Sequence, residues 1–326
     1  MTQPDQPEQP GQPAGAPPAA EPTCYRHPDR VTYVRCTRCN RPICPEDMIP
    51  AAVGFQCPDD VREGNRGVRT PRTPFGGRAT SDPAWVTKVL IGVNVVLLLL
   101  TTTDSSIAPR FWMYSGGPSF GGFSAGLASG QWYRLVTAAF LHQNLLHLLF
   151  NMYALWLFGP PLEAALGRVR FAALYLLGAV CGVAASYAFS SLGSASLGAS
   201  GAVFALFAAH LVVNRRLGRE SSGLWTLLAV NVALGFVMNG VDWRAHAGGF
   251  VGGALAAAAL VYAPAARRAL VQGVALVAVL LAALALTTWR TVDVLGQFGA
   301  GTSASTVAAC ELRHPAGTQG FLDCIS

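Results

Sequence analysis

Ser200 and His246 are the two residues of this chain whose chemistry most needs explaining. Ser200 stands in Leu197-Gly198-Ala199-Ser200-Gly201-Ala202 and His246 in Arg244-Ala245-His246-Ala247-Gly248-Gly249, both within stretches apolar enough to cross a bilayer. Polar and ionisable groups in such segments are costly and usually functional. A hydroxyl and an imidazole brought within about 3 Å make an activated nucleophile, the imidazole taking the hydroxyl proton. The reaction such a pair serves is acyl transfer, whose tetrahedral oxyanion needs hydrogen-bond donors. Asn151 offers an amide N–H, His147 a ring N–H and Ser200 its own backbone N–H. Ser200 falls near a helix N-terminus, where unpaired amides and the helix dipole favour negative charge.

A second set of residues has metal chemistry. Cys24-x2-His27, Cys36-x2-Cys39, Cys44-x2-Asp47 and Cys57-x2-Asp60 share one spacing, with Asp59 an alternative to Asp60. A two-residue gap lets both side chains of a tight turn face one ion, and eight donors suffice for two tetrahedral Zn2+ sites. A unit this short, with almost no core, needs such metal to fold. Closed sites of this kind are structural, and the acyl-transfer site calls for no cofactor. The spacing resembles B-box-type zinc fingers, in which the pairs interleave. That resemblance implies Cys24, His27, Cys44 and Asp47 on one ion and Cys36, Cys39, Cys57 and Asp60 on the other. The unit also carries Arg26, Arg30, Arg35, Arg38 and Arg41. Nucleic acid is one reading of those charges, but a cytoplasmic protein partner or anionic lipid suits a membrane-tethered unit better, and no nucleic acid is expected.

The elements that must position these residues are transmembrane helices. The chain has 326 residues, 52% of them hydrophobic and only 12% charged, against about 25% charged in a soluble domain. Spans of roughly 20 apolar residues read at about 85–103, 139–158, 171–190, 198–214, 224–240, 245–263 and 269–288. The first begins far from the N-terminus and lacks a signal-peptide cleavage site. Arginines gather before the first span and after the second, fourth and sixth, which places the N-terminus in the cytoplasm and the C-terminus outside. Cysteine usage agrees: five fall between Cys24 and Cys57 on the reducing side, while Cys310 and Cys324 lie in the outer tail, where a disulfide can persist. Cys181 reads as a small buried hydrophobe. The near absence of Lys against many Arg points to a bacterial genome rich in GC.

Around the spans, residues 1–22 read as a disordered Pro-rich tail and 23–61 as the zinc-binding domain. Residues 62–84 read as a basic linker beside the anionic leaflet, 85–288 as the membrane domain and 289–326 as an extracytoplasmic tail. The long first outer loop, about 104–138, is Gly-rich and ends in Gln131-Trp132-Tyr133-Arg134, whose character is that of an interface anchor. The second, fourth and sixth spans all enter from outside. They bring His147 and Asn151, Ser200, and His246 to the outer half of the membrane, His147 and Asn151 sharing one helical face. Ala245, Gly249 and Gly253 form a small-residue ridge that permits close approach to the fourth span. His142 and His210 read as structural. Asp242 reads as exposed, which leaves a dyad without a third acid.

The series Tyr133-Arg134-x7-His142-x4-His147-x3-Asn151, Gly159-x3-Glu163, Gly198-Ala199-Ser200-Gly201 and Ala245-His246-x2-Gly249-x3-Gly253 resembles the rhomboid intramembrane serine proteases over about 85–263. Tyr133 stands where the family has Trp. The resemblance implies an all-α polytopic fold, a six-helix bundle with the seventh span added. It implies a Ser200–His246 dyad, an oxyanion hole with His147 and Asn151, support from Gly198 and Gly249, and Phe204 packed on the His246 ring. It also implies a multi-pass protein of the cell membrane that cleaves transmembrane protein substrates, with the fifth span as a gate bending near Gly235, Asn239 and Gly240. The competing class is a catalytically inactive rhomboid-like protein that binds membrane clients and recruits a partner through the zinc unit. A transporter is disfavoured by the lack of an inverted repeat.

Overall fold

A computed structural model describes residues 20–66, 68, 71–116, 118–119, 122–123, 126–237, 240–299, 310, 313–314 and 324. The chain divides into two compact units between Thr70 and Pro71. Residues 1–19 of the Pro-rich tail lie outside the described residues.

The first unit is held by turns and sulfur clusters. Strand β1 (Ile49–Pro50) pairs antiparallel with β2 (Phe55–Gln56), and helix α1 (Pro58–Asn65) follows. Pro58 occupies the first helical position, where no amide donor is needed, and the Cys57 sulfur accepts the Asp60 N–H. Ile43, Cys36 and Cys57 make up the buried apolar centre, far too little to hold a fold unaided.

The second unit begins with α2 (Trp85–Thr103), α3 (Ile107–Phe111), β3 (Met113–Tyr114), β4 (Pro118–Ser119) and β5 (Gly122–Phe123). It continues with α4 (Arg134–Thr137), α5 (Leu145–Leu166), α6 (Arg168–Phe189), β6 (Ala195–Ser196), α7 (Ser200–Leu217), α8 (Ser222–Val237), α9 (Trp243–Tyr262) and α10 (Arg268–Gly299). Seven of these helices fall on the seven expected spans. α2, α5, α6, α9 and α10 are long and apolar enough to cross a membrane, and α8 is a shorter apolar helix. The last turn of α7 carries Asn214, Arg215 and Arg216. The chain is a multi-pass membrane protein with an all-α polytopic architecture.

Three boundaries differ most from the hydropathy reading, the first being the end of α5, which runs on to Leu166 and not 158. α5 starts at Leu145 because the Asn144 side chain accepts the His147 N–H at 2.9 Å and caps the helix. His142 therefore precedes the helix. At the other end α10 runs on to Gly299, so the tail expected from residue 289 begins as helix.

Packing rests on small residues, as it must where lipid removes the hydrophobic drive between helices. α6 is the central helix, buried over most of its length. A Cβ on Gly178 would lie 2.2 Å from Ala205 Cβ of α7, and one on Gly252 of α9 would lie 2.5 Å from Cys181 Sγ. On the other side of α9, a Cβ on Gly249 would lie 2.0 Å from Gly201 O, and one on Gly253 would lie 2.3 Å from Ala205 Cα. The small-residue ridge of α9 does face α7.

Polar contacts fix the ends of the bundle. Glu163, buried in α5, accepts the Val86 and Thr87 N–H groups and the Thr87 hydroxyl at 2.9–3.0 Å, capping α2 from another helix. Gly159 leaves the room this needs: a Cβ there would lie 2.5 Å from Thr87 Oγ1. The end of the basic linker is also built into this unit. Arg72 and Arg78 pair as an antiparallel bridge, the Thr73 N–H donates to Gly77 O, and Phe75 is buried in the helical core. Gly77 lies so close to the α5–α6 turn that a Cβ would be 2.1 Å from Leu166 O.

Candidate active site and metal centre

In the first unit, the eight ligand candidates form two clusters, Cys24, His27, Cys44 and Asp47, and Cys36, Cys39, Cys57 and Asp60. This is the interleaved arrangement, with Asp60 and not Asp59 inside. The donor atoms in each cluster lie within 4.8 Å of one another. Around the first, Cys24 Sγ is 3.7 Å from His27 Nδ1 and 3.2 Å from Asp47 Oδ2, and Cys44 Sγ is 3.3 Å and 3.8 Å from the same atoms. Those are close to the edges, about 3.3–3.8 Å, of a tetrahedron with Zn–N and Zn–S bonds. In the second, Cys36 Sγ is 2.9 Å from Asp60 Oδ2 and Cys39 Sγ is 3.7 Å from Cys57 Sγ. The Cys36 and Cys39 thiols hold the Asp60 carboxyl down at about 2, so it is ionised as a ligand must be. Both donor sets fit a metal ion.

The arginines of this unit are largely engaged within it. Arg26 pairs with Asp47 at 3.1 Å, Arg30 with Glu46 at 2.6 Å and Arg41 with Asp59 at 3.5 Å.

In the second unit, Ser200 opens α7 after a turn that only glycine suits. Gly198 has φ +134°, and a Cβ there would lie 2.8 Å from His147 Cε1 and 2.9 Å from His147 Nε2. The His147 ring thus rests against the turn that delivers Ser200. Val203 N–H bonds back to Ala199 O, which leaves Ser200 N–H in the open first turn of the helix. The approach of Gly201 to Gly249 and Ala245 sets the first turns of α7 and α9 side by side. The ring of Phe204, one turn after Ser200, stacks on His246 with centroids 4.2 Å apart. Among the described residues the Ser200 hydroxyl has no hydrogen bond. Catalytic hydrogen bonds often close only when substrate is bound.

Asn151 is buried, and its amide donates to His147 O on its own helix at 3.0 Å. Among the described residues His147 Nδ1 and both ring nitrogens of His142 are buried without hydrogen-bond partners, and the two rings meet edge-on at 5.0 Å. His210 lies toward the other end of α7, its Nε2 2.9 Å from Phe158 O. Asp242 is half-buried, not exposed. It caps α9, with Oδ1 accepting the Arg244 and Ala245 N–H groups at 3.2 Å and Oδ2 bonded by the Ser186 hydroxyl. Among the described residues Asp242 makes no hydrogen bond to the His246 ring.

Two cavities flank the pair. A small one, about 10 Å³, is lined by Ser196, Gly198, Ser200, Gly201 and Ala245, space on the order of one water molecule. A larger one, about 390 Å³, is almost wholly apolar and lined by Phe204, Leu228, Val232, Gly235, His246 and Phe250. Asn239 lies outside the described residues.

The loop between α2 and α5 does more than shape turns. Arg134 is buried and does not serve as an interface anchor: it donates to Pro109 O, Trp112 O and Gln131 Oε1 at 2.7–2.9 Å, drawing the loop inward. β3 pairs with β6, and Ser115 exchanges hydrogen bonds with Ser194, so the loop is tied to the strand that leads into Ser200. Sequence reasoning missed this tie; the Ser- and Gly-rich composition of both segments was its one signal. Cys310 and Cys324 are joined by a disulfide.

Comparison with known proteins places the membrane unit in a family. A Rhomboid domain model matches residues 129–263. A Bacillus subtilis (strain 168) protein named "Putative rhomboid protease YdcA" is 38% identical over 139 residues, covering 41% of this chain and 70% of that one. Rhomboid protease GluP of the same organism is 40% identical over 139 residues, 41% of this chain and only 27% of its own length. RHOMBOID-like protein 7 of Arabidopsis thaliana is 30% identical over 232 residues, covering 60% and 72% of the two chains.

Proposed function

This chain belongs to the rhomboid family, and from that premise we propose that it is an intramembrane serine endopeptidase cleaving transmembrane segments of other membrane proteins near the outer face. Ser200 is the nucleophile and His246 the general base. The observation that carries the reading is the stack of His246 on Phe204, one helical turn from Ser200.

In this reading Ser200 Oγ attacks the scissile carbonyl carbon while His246 takes its proton. The oxyanion forms against the Ser200 N–H, the His147 ring and the Asn151 amide, donors worth about 3–4 kcal/mol each in comparable sites. His246 then gives its proton to the leaving amine, and the acyl-enzyme is hydrolysed by water activated by the same imidazole. The small cavity at Ser200 and Gly198 supports a place for that water. The apolar groove between α7, α8 and α9 supports access for a transmembrane segment past α8. A crosslink from α8 to α5 that left activity intact would overturn that route.

The protein is assigned to the cell membrane of a bacterium, N-terminus in the cytoplasm and C-terminus outside. Residues 23–61 form a domain whose two clusters hold structural Zn2+ and supply no catalytic group, and it recruits a cytoplasmic protein partner. The test is purified protein with a fluorescent transmembrane substrate. Wild type cleaves, and Ser200→Ala and His246→Ala each fold but do not. Persistent cleavage by Ser200→Ala defeats the assignment, and a wild type inert toward several substrates favours the client-binding alternative.

A further inference from the structure

Three arginines from separate parts of the membrane unit converge at one end of the bundle, with no carboxylate among them in the described residues. Arg72 lies on the folded hairpin, Arg170 in the first turn of α6 and Arg268 at the start of α10. Each is held by a neutral acceptor. Arg170 Nε donates to Gln272 Oε1 at 2.7 Å, Arg72 Nη1 to Gly76 O at 3.5 Å and Arg268 Nη1 to Pro74 O at 3.5 Å. Gln272 is itself buried and fixed, its amide donating to Leu260 O at 2.7 Å and Phe75 O at 3.3 Å. The Arg268 stem crosses Gly76, where a Cβ would lie 2.7 Å from Arg268 Cδ.

Arg72 and Arg268 are the two charges that act on Arg170. The nearby acids are committed elsewhere: Asp82 to Lys88 at 2.9 Å, and Glu163 to the α2 amides. The positive-inside rule accounts for arginines at this end, but not for their being gathered by a buried glutamine and a hairpin. Like charges so placed repel unless an anion sits among them.

We propose that Arg72, Arg170 and Arg268 bind the phosphate of an anionic phospholipid headgroup. Arginine forks suit phosphate oxygens. The starts of two transmembrane helices set the site at the depth of lipid headgroups. Val169, Leu270 and Val274, exposed apolar side chains on those helices, offer a surface for acyl chains.

The test is thermal unfolding of the full-length protein in nanodiscs of phosphatidylcholine, with and without phosphatidylglycerol. The anionic lipid raises the wild-type midpoint by about 5 °C. Arg72→Gln/Arg268→Gln loses most of that rise, whereas Arg215→Gln/Arg216→Gln, which removes equal charge from the end of α7, keeps it. In phosphatidylcholine alone the Arg72/Arg268 variant melts no lower than wild type, because it has shed a repulsion. Arg72→Gln alone, at an exposed side chain, loses part of the rise. Equal loss in both double variants, loss in neither, or a much lower midpoint for the site variant in phosphatidylcholine overturns the site. An equal rise from inorganic phosphate in detergent overturns the lipid as its source.

Discussion

The His246 imidazole lies flat on the Phe204 ring, with centroids 4.2 Å apart and planes 12° from parallel. With Asp242 spent on the α9 cap, this contact orients the ring that a carboxylate orients in a triad. Phe204→Ala should lower kcat by about 100-fold with KM nearly unchanged, as a base misplaced by about 1 Å would. Phe204→Leu, which keeps bulk but not the flat face, should fall between. A Phe204→Ala enzyme with wild-type kcat would show that something else holds His246.

Gly198→Ala joins two penalties at one position, a positive φ and a Cβ driven into the His147 ring. The ring must leave the Ser200 turn. We expect cleavage to fall by about 100-fold or more, the scale of losing one oxyanion donor, with folding retained by circular dichroism.

Gly249→Ala and Gly273→Ala form a matched pair. The first puts a methyl 2.0 Å from Gly201 O and must force α9 from α7, while the second meets nothing within 4 Å on α10. Gly249→Ala should cost about 1–3 kcal/mol or more and most of the activity. Gly273→Ala should be neutral or stabilising by up to about 1 kcal/mol. Thermal unfolding in one detergent measures both.

Glu163→Gln keeps the size of the α2 cap but removes its charge and replaces one of its two accepting oxygens with a donating NH2. The bonds to Val86 and Thr87 are charge-assisted, so the loss should be about 1–3 kcal/mol. Limited proteolysis should then cut first near residues 80–84, ahead of α2.

The zinc reading makes a stoichiometric prediction. Metal analysis of the full-length protein should give about two equivalents of zinc, falling to about one in Cys44→Ser and in Cys57→Ser, since each cluster closes with four ligands. A chelator should open residues 23–61 to protease while the membrane unit stays folded. Fewer than one equivalent in the wild type would remove the assignment.

Much of this was legible in the chain itself, because it depends on local properties. Runs of apolar residues specify helices wherever they end up, and seven helices lie where hydropathy sets them, five of them long and apolar enough to cross a membrane. Paired ligands at two-residue gaps lie within one turn, so Cys24 with His27 and Cys57 with Asp60 need no tertiary argument. Ser200, His147 and His246 stand out because polar groups in apolar spans are rare. What a chain cannot disclose is which neutral surfaces meet. The Asn144 cap that outweighs the hydropathy of Ala138–Leu141 is local, whereas the inward turn of Arg134 onto Pro109 and Trp112 and the bond from Ser186 to Asp242 were decided by tertiary contacts. The hairpin at Phe75 was hidden for the same reason: glycine, proline and arginine make up flexible linkers and tight packed turns alike. Only the room beside Leu166 and the acceptors around Gln272 select the second. In lipid, where burial of apolar surface does not choose partners, it is close backbone approach at Gly201, Gly249 and Gly253 that packs α7, which carries Ser200, against α9, which carries His246.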